Sequence, residues 1–143
     1  MNVFDKFTNH SKKALETAYL FAEKFNRAID IEHILLGIAK EKGSIGYDIL
    51  RKTHSNSTIA ERIISQAKNK KPGKKKIKPV FALSAIAAIE RAALLASVHT
   101  HPYIGTEHIL FSILSYGDEK IQELFQKEHI DIKEIKNRIE LVF

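Results

Sequence analysis

Glu32-His33-Ile34-Leu35-Leu36-Gly37-Ile38 recurs 75 residues later as Glu107-His108-Ile109-Leu110-Phe111-Ser112-Ile113, with five of the seven positions identical. Two further blocks flank this one in the same order. Phe7 and Ala14-Leu15-Glu16 precede the first copy as Phe81 and Ala88-Ile89-Glu90 precede the second, at an offset of 74, so the loop between blocks differs by one residue. Ile59-x-x-Arg62-Ile63 follows the first copy as Ile135-x-x-Arg138-Ile139 follows the second, at an offset of 76. Three matching blocks in one order identify an internal duplication.

Apolar residues in each copy fall at three- and four-residue spacing rather than in alternation, which predicts helices and no strand pair. In the first copy Thr8 is placed to cap a helix reaching about residue 26, with Ala14, Leu15, Ala18, Phe21, Ala22 and Phe25 as its buried stripe. Asp30 can cap the next helix, which runs through Ile34, Leu35 and Ile38 to Gly43. Its carboxylate would accept N–H groups of the first turn, a contribution of about 1 kcal/mol. A short third helix covers 45–52, and Ser55 or Ser57 opens a fourth that carries Ile59, Ile63 and Ile64. The second copy predicts helices at about 82–99, 106–116, 118–128 and 131–142, with Thr106 and Asp131 as candidate caps. The fold class is therefore all-α: two tandem pseudo-symmetric four-helix repeats, 1–67 and 81–143, about eight helices in a single domain. The paired stripes predict that each half closes its own bundle and that the chain is a monomer.

The joint between the repeats, 68–80, explains the charge. The chain of 143 residues carries a formal charge of +6, but residues 68–78 hold seven lysines and no acid, so the remainder lies within one charge of neutral. With Pro72 and Gly73 at its centre, this run reads as a solvated linker. Composition, 44% hydrophobic and 28% charged, is that of an ordinary globular domain able to bury a core. There is no apolar run of membrane-spanning length and no signal-peptide pattern near Met1, so a cytoplasmic location is expected. Without cysteine, a disulfide framework, a thiol nucleophile and a Cys-ligated zinc are all excluded.

The stretches Ile29-Asp30-Ile31-Glu32-His33-Ile34-Leu35-Leu36-Gly37-Ile38 and Tyr103-Ile104-Gly105-Thr106-Glu107-His108-Ile109-Leu110, with the opening Phe7-Thr8 and Ala14-Leu15, resemble the doubled motif of Clp N-terminal domains, most closely the ClpC type. The resemblance covers essentially the whole chain. It implies a module of two four-helix repeats on a hexameric unfoldase, binding adaptor proteins or tagged substrates. It further implies recognition of phosphorylated arginine by the threonine opening the first helix and the glutamate of the motif, which map onto Thr8 and Glu32, with Thr106 and Glu107 as second-copy candidates. A carboxylate can take two parallel guanidinium hydrogen bonds while helix-start N–H groups and a hydroxyl receive phosphoryl oxygens. The second copy departs from the pattern, because Ala82 stands where Thr8 stands and offers no hydroxyl. On the simplest structural reading, both glutamates only complement helix dipoles and both threonines only cap.

No cofactor is implied. Gly73-Lys74 lacks the earlier glycine of a phosphate loop and follows no strand, so the chain is expected not to be an enzyme, and any ATP hydrolysis belongs to a longer chain or a partner. His99, His101 and His108 fall within ten residues, but a loop without cysteine argues for structural histidines over a zinc site. The lysine run could bind nucleic acid nonspecifically, yet it lacks arginine and interleaved aromatics. A free-standing accessory protein docking on a Clp complex is the remaining alternative to a substrate-receiving domain.

Overall fold

The computed structural model describes residues 3–72, 75–116 and 118–143; Gly73 and Lys74 of the basic linker lie outside the described residues. Among the described residues a 3-10 turn, Val3–Lys6, leads into eight helices: α1 Asn9–Lys24, α2 Ile31–Lys40, α3 Ile45–Lys52, α4 Asn56–Asn69, α5 Leu83–Val98, α6 Thr106–Tyr116, α7 Glu119–Lys127 and α8 Ile132–Val142. The two sets of four correspond helix for helix. Even the left-handed residues that end helices correspond: Asn26 and Thr100 after α1 and α5, His54 and His129 after α3 and α7.

Most caps are those the sequence offers. The Thr8 hydroxyl accepts from Ser11 N–H at 3.0 Å, Asp30 from Ile31 N–H at 2.7 Å and Asp131 from Lys133 N–H at 3.0 Å; Asp118, not among the caps expected from the sequence, accepts from Ile121 N–H at 3.3 Å. Three details differ. α2 stops at Lys40, and Gly43 instead takes the positive φ of the turn beyond it. Ser55 precedes α4 without capping it, its hydroxyl being held by Thr53. Thr106 is the first residue of α6 rather than its cap, and its hydroxyl accepts the N–H of Gly46 at the start of α3, 2.8 Å away.

α2 and α6 form the centre, buried along almost their whole length. α1 crosses α2 where Gly37 meets the backbone of Ala14 so closely that a Cβ at 37 would lie 2.1 Å from the Ala14 carbonyl oxygen. At the matching crossing of α5 and α6, Ser112 donates its hydroxyl to the Ala88 carbonyl at 2.8 Å.

The expectation that each half closes its own bundle is corrected. α3 packs on α6 and α8 of the second repeat, and α7 packs on α4 of the first. Arg62 of α4 also pairs with Glu128 at the end of α7, Nε to carboxylate oxygen, at 2.6 Å. Two isolated parallel bridges, Phe7 with Ile104 and Ile29 with Phe81, tie the approach to the first helix of each repeat to the approach to the second helix of the other. Thr8 N–H donates to Ile104 O at 3.0 Å, and Ala82 N–H to Ile29 O at 2.9 Å. One continuous apolar core results, from Phe7 through Ile139. Among the described residues no helix is long and apolar enough to cross a membrane.

Candidate functional site

At the start of α2, Asp30 and His33 satisfy the backbone reciprocally. The Asp30 carboxylate accepts from Ile31 N–H at 2.7 Å and from the Ser84 hydroxyl at 2.6 Å. The His33 Nδ1 accepts from Asp30 N–H at 2.9 Å. An Nδ1 engaged as acceptor puts the neutral ring's proton on Nε2, and burial pushes the His33 pKa down in the same sense. Because Asp30 does the capping, Glu32 is free to face outward. It stands half-buried where two cavities meet.

The first cavity, about 260 Å³, lies between the end of α1 and the end of α4; Phe21, Phe25, His33 and Ala67 give it an aromatic and aliphatic wall. The second, about 350 Å³, continues between α4 and α7 past Asn69, Glu123 and Lys127. Lys70 and Lys120 border both. Burial and the neighbouring Asp30 raise the Glu32 pKa, while Lys120 and Lys70 draw it back down. At the junction of the two cavities the groove thus presents the Glu32 carboxylate between the Lys70 and Lys120 ammonium groups, beside an apolar wall, with Asp30 and Arg27 further into the first cavity and Glu123 and Lys127 along the second, an arrangement that can take a ligand carrying both charges.

The same corner of the second repeat is closed. Gly105 replaces Asp30 and supplies no cap, so the Glu107 carboxyl folds back over it; a Cβ on Gly105 would lie 1.9 Å from Glu107 Oε1. Glu107 bonds its own backbone N–H, is only 9% exposed, and has its pKa raised by that burial. Thr106 is 2% exposed, with its hydroxyl committed to Gly46. His108 repeats the His33 role, its Nδ1 accepting Gly105 N–H at 2.9 Å, and its Nε2–H is left to donate to His101 Nδ1 at 2.8 Å. Burial, then the adjacent His101 and His99, push the His108 pKa down to about 4. The Phe143 ring lies over His108, 5.1 Å between centroids and 10° from parallel.

Thr8 and Glu32, expected to act together, are not brought together. Thr8 stands at the opposite end of α1 from the groove, and 16 helical residues span about 24 Å. Its backbone is paired with Ile104, on the Glu107 side, and its hydroxyl is held by Ser11. The crossed bridges cause this, since they set each repeat's first helix start beside the other repeat's motif. Among the described residues no group of histidine and carboxylate side chains is placed to hold a metal ion. The sequence reading missed Phe21, Phe25, Ala67, Lys70 and Lys120 as a set, because α1, α4 and α7 meet only in the folded chain; the exchange of Phe143 for Ala67 at the 76-residue offset was the one available signal.

The family model for the Clp repeat (R) N-terminal domain matches residues 6–128 and 80–143. A "Probable ATP-dependent Clp protease ATP-binding subunit" of Chlamydia pneumoniae is 29% identical over 139 residues, and a ClpA homolog of Cyanidium caldarium is 24% identical over 139; each match takes in 96% of this chain. The chain spans 16% of the length of these relatives. Among solved structures, the N-domain of ClpV from Vibrio cholerae superposes with a TM-score of 0.78 at 19% identity, covering 98% of this chain and 86% of that one. The N-terminal domain of ClpD from Arabidopsis thaliana gives 0.75 at 18%, covering 98% and 96%. A complex of the ClpV N-domain with VipB peptide gives 0.72 at 20%, covering 94% and 84%. With its duplicated blocks, its eight helices and a family match over nearly its whole length, this chain belongs to the Clp N-terminal domain family.

Proposed function

We propose that this chain receives protein partners, adaptors or substrates, for a Clp-type unfoldase system, and that the groove beside Glu32 is where a phosphoarginine-bearing partner docks. The observation that carries this reading is the release of Glu32 by Asp30: a half-buried carboxylate free of capping duty, flanked by Lys70 and Lys120. The carboxylate suits a guanidinium and the ammonium groups suit a phosphoryl. The superposable ClpV N-domain held with VipB peptide supports a protein-receiving role. On this reading the domain binds rather than catalyses, and any nucleotide chemistry belongs to another part of the system.

Calorimetric titration with phosphoarginine tests it. Glu32→Ala is expected to weaken binding tenfold or more, since a charge-assisted hydrogen bond contributes about 1.5–3 kcal/mol and about 1.4 kcal/mol is one decade. Glu107→Ala and Thr8→Ala are expected to matter little, one carboxyl being turned inward and one hydroxyl lying at the far end of α1. No binding by the wild type removes the phosphoarginine assignment, and a larger loss at Glu107 relocates the site to the second repeat.

A second contact surface is favoured by α5, whose outer face carries exposed Leu83, Ile86, Leu94 and Val98 where α1 carries mainly charged and polar residues. Such a face fits docking on another component of a Clp complex. Replacing Leu83 and Leu94 with glutamate and measuring co-elution with the unfoldase separates this surface from the Glu32 groove.

A further inference from the structure

The 76-residue offset that pairs α4 with α8 sets Ala67 against Phe143. The surroundings pair in the same way. Phe143 touches His99, His101 and His108, with ring centroids 4.9, 5.8 and 5.1 Å away. The counterparts of these three histidines are Phe25, Arg27 and His33, and all three line the 260 Å³ cavity together with Ala67. One site therefore exists twice in the molecule. In the second repeat the chain fills it with its own aromatic ring, stacked on the histidine that caps α6. In the first repeat alanine stands at that position and the site opens to solvent as the apolar half of the groove.

We propose that the first-repeat cavity is an anchor pocket for an aromatic side chain of the partner polypeptide, seated against His33 as Phe143 is seated against His108. The size agrees, since an apolar cavity of about 150 Å³ accepts a benzene ring. The wall agrees as well: the Phe21 and Phe25 ring centroids are 5.0 Å apart and Phe21 lies 5.7 Å from His33, distances at which aromatic rings pack edge-to-face or offset. The His33 ring is fixed for the purpose, because its Nδ1 is tied to Asp30 N–H. Arg27, which lines the cavity, is held in place by donating to the Lys71 carbonyl. The inference rests on reading the groove as a partner-receiving site, and it adds that the partner's segment presents an aromatic residue next to its charged group.

The internal copy supplies its own control. N-acetyl-phenylalaninamide, titrated into the whole chain and followed by NMR, is expected to shift the signals of Phe21, Phe25, His33 and Ala67 at millimolar concentration, while N-acetyl-alaninamide leaves them unmoved. Ala67→Phe provides in the first repeat the ring that Phe143 provides in the second, so it is expected to abolish those shifts without lowering the melting temperature. Phe143→Ala, where it folds, is expected to open a second site whose signals are those of His99, His101 and His108. Absence of shifts in the wild type, or shifts that persist in Ala67→Phe, overturns the proposal. Phosphoarginine titrated into the same samples keeps the two readings apart. Phosphoarginine binding with no response to the aromatic probe defeats the anchor pocket and leaves the receiving groove. A response to the probe that survives Glu32→Ala upholds the pocket even where phosphoarginine fails to bind.

Discussion

His33 and His108 occupy the third position of their helices and accept the backbone N–H of the capping position with Nδ1, the task usually given to glutamate or glutamine in a capping box. This bond requires the unprotonated nitrogen, so each ring is held neutral by geometry as well as by burial. The consequence for stability has a definite sign. A base whose folded pKa, about 4 for His108, lies below its ordinary value of 6.5 leaves the unfolded chain binding more protons between those limits. Stability is then complete above about pH 6.5 and is lost as pH falls towards 4. Glu107 acts in the opposite sense, since its raised pKa favours the folded state as it takes up a proton. His108→Asn keeps an acceptor near Nδ1 and does not titrate; urea denaturation at pH 7, 5.5 and 4.5 is expected to show a shallower loss than in the wild type, and an unchanged slope would remove His108 from the account. That these histidines are paired structural residues is legible from the duplication alone. Their partner is not, because it is a backbone group that any residue at position 30 or 105 would supply.

At the scale of helices, the two repeats solve the same packing problems with different residues. Gly37 brings the backbones of α1 and α2 together, whereas Ser112 bridges α6 to α5 through its hydroxyl. Gly37→Ala is expected to destabilise by about 3 kcal/mol, since its Cβ would press on backbone that cannot step aside, whereas Ser112→Ala removes one hydrogen bond worth about 1 kcal/mol. Thermal unfolding of the two variants checks the ranking. The start of α5 offers the reverse opportunity. Ala82 has φ −64° and ψ 156°, nearly the −64° and 161° of Thr8, but no side chain with which to cap. Ala82→Thr is therefore expected to stabilise by about 1 kcal/mol and raise the melting temperature by a few degrees. Helix positions were readable to within two or three residues, because apolar spacing and Thr8, Asp30 and Asp131 are local signals. Thr106 was misread for the complementary reason: a hydroxyl before an apolar run looks like a cap, and its actual acceptance of Gly46 N–H, 60 residues away, leaves no trace in its neighbours.

For the whole molecule, the duplication gives the architecture but not the exchange between its halves, since periodicity says which face of a helix is buried and not which helix covers it. The third helix of each repeat rests on the other repeat, and the bridges at Phe7 and Phe81 cross over. Residues 1–67 and 81–143 expressed separately are accordingly expected to lack cooperative melting, each with the apolar face of α3 or α7 uncovered; mixing them is expected to restore the helical signal and the transition. A cooperative transition in either half alone would contradict the shared core. The crossed bridges carry an implication for descent as well. A chain with a single repeat would leave unpaired the backbone groups that here bond reciprocally, Thr8 N–H to Ile104 O and Ala82 N–H to Ile29 O, Ile104 N–H to Lys6 O and Ile29 N–H to Val80 O. The fold is thus one four-helix unit used twice with its backbone pairing exchanged, and the two uses have diverged at a single mouth, open at Ala67 and closed by Phe143.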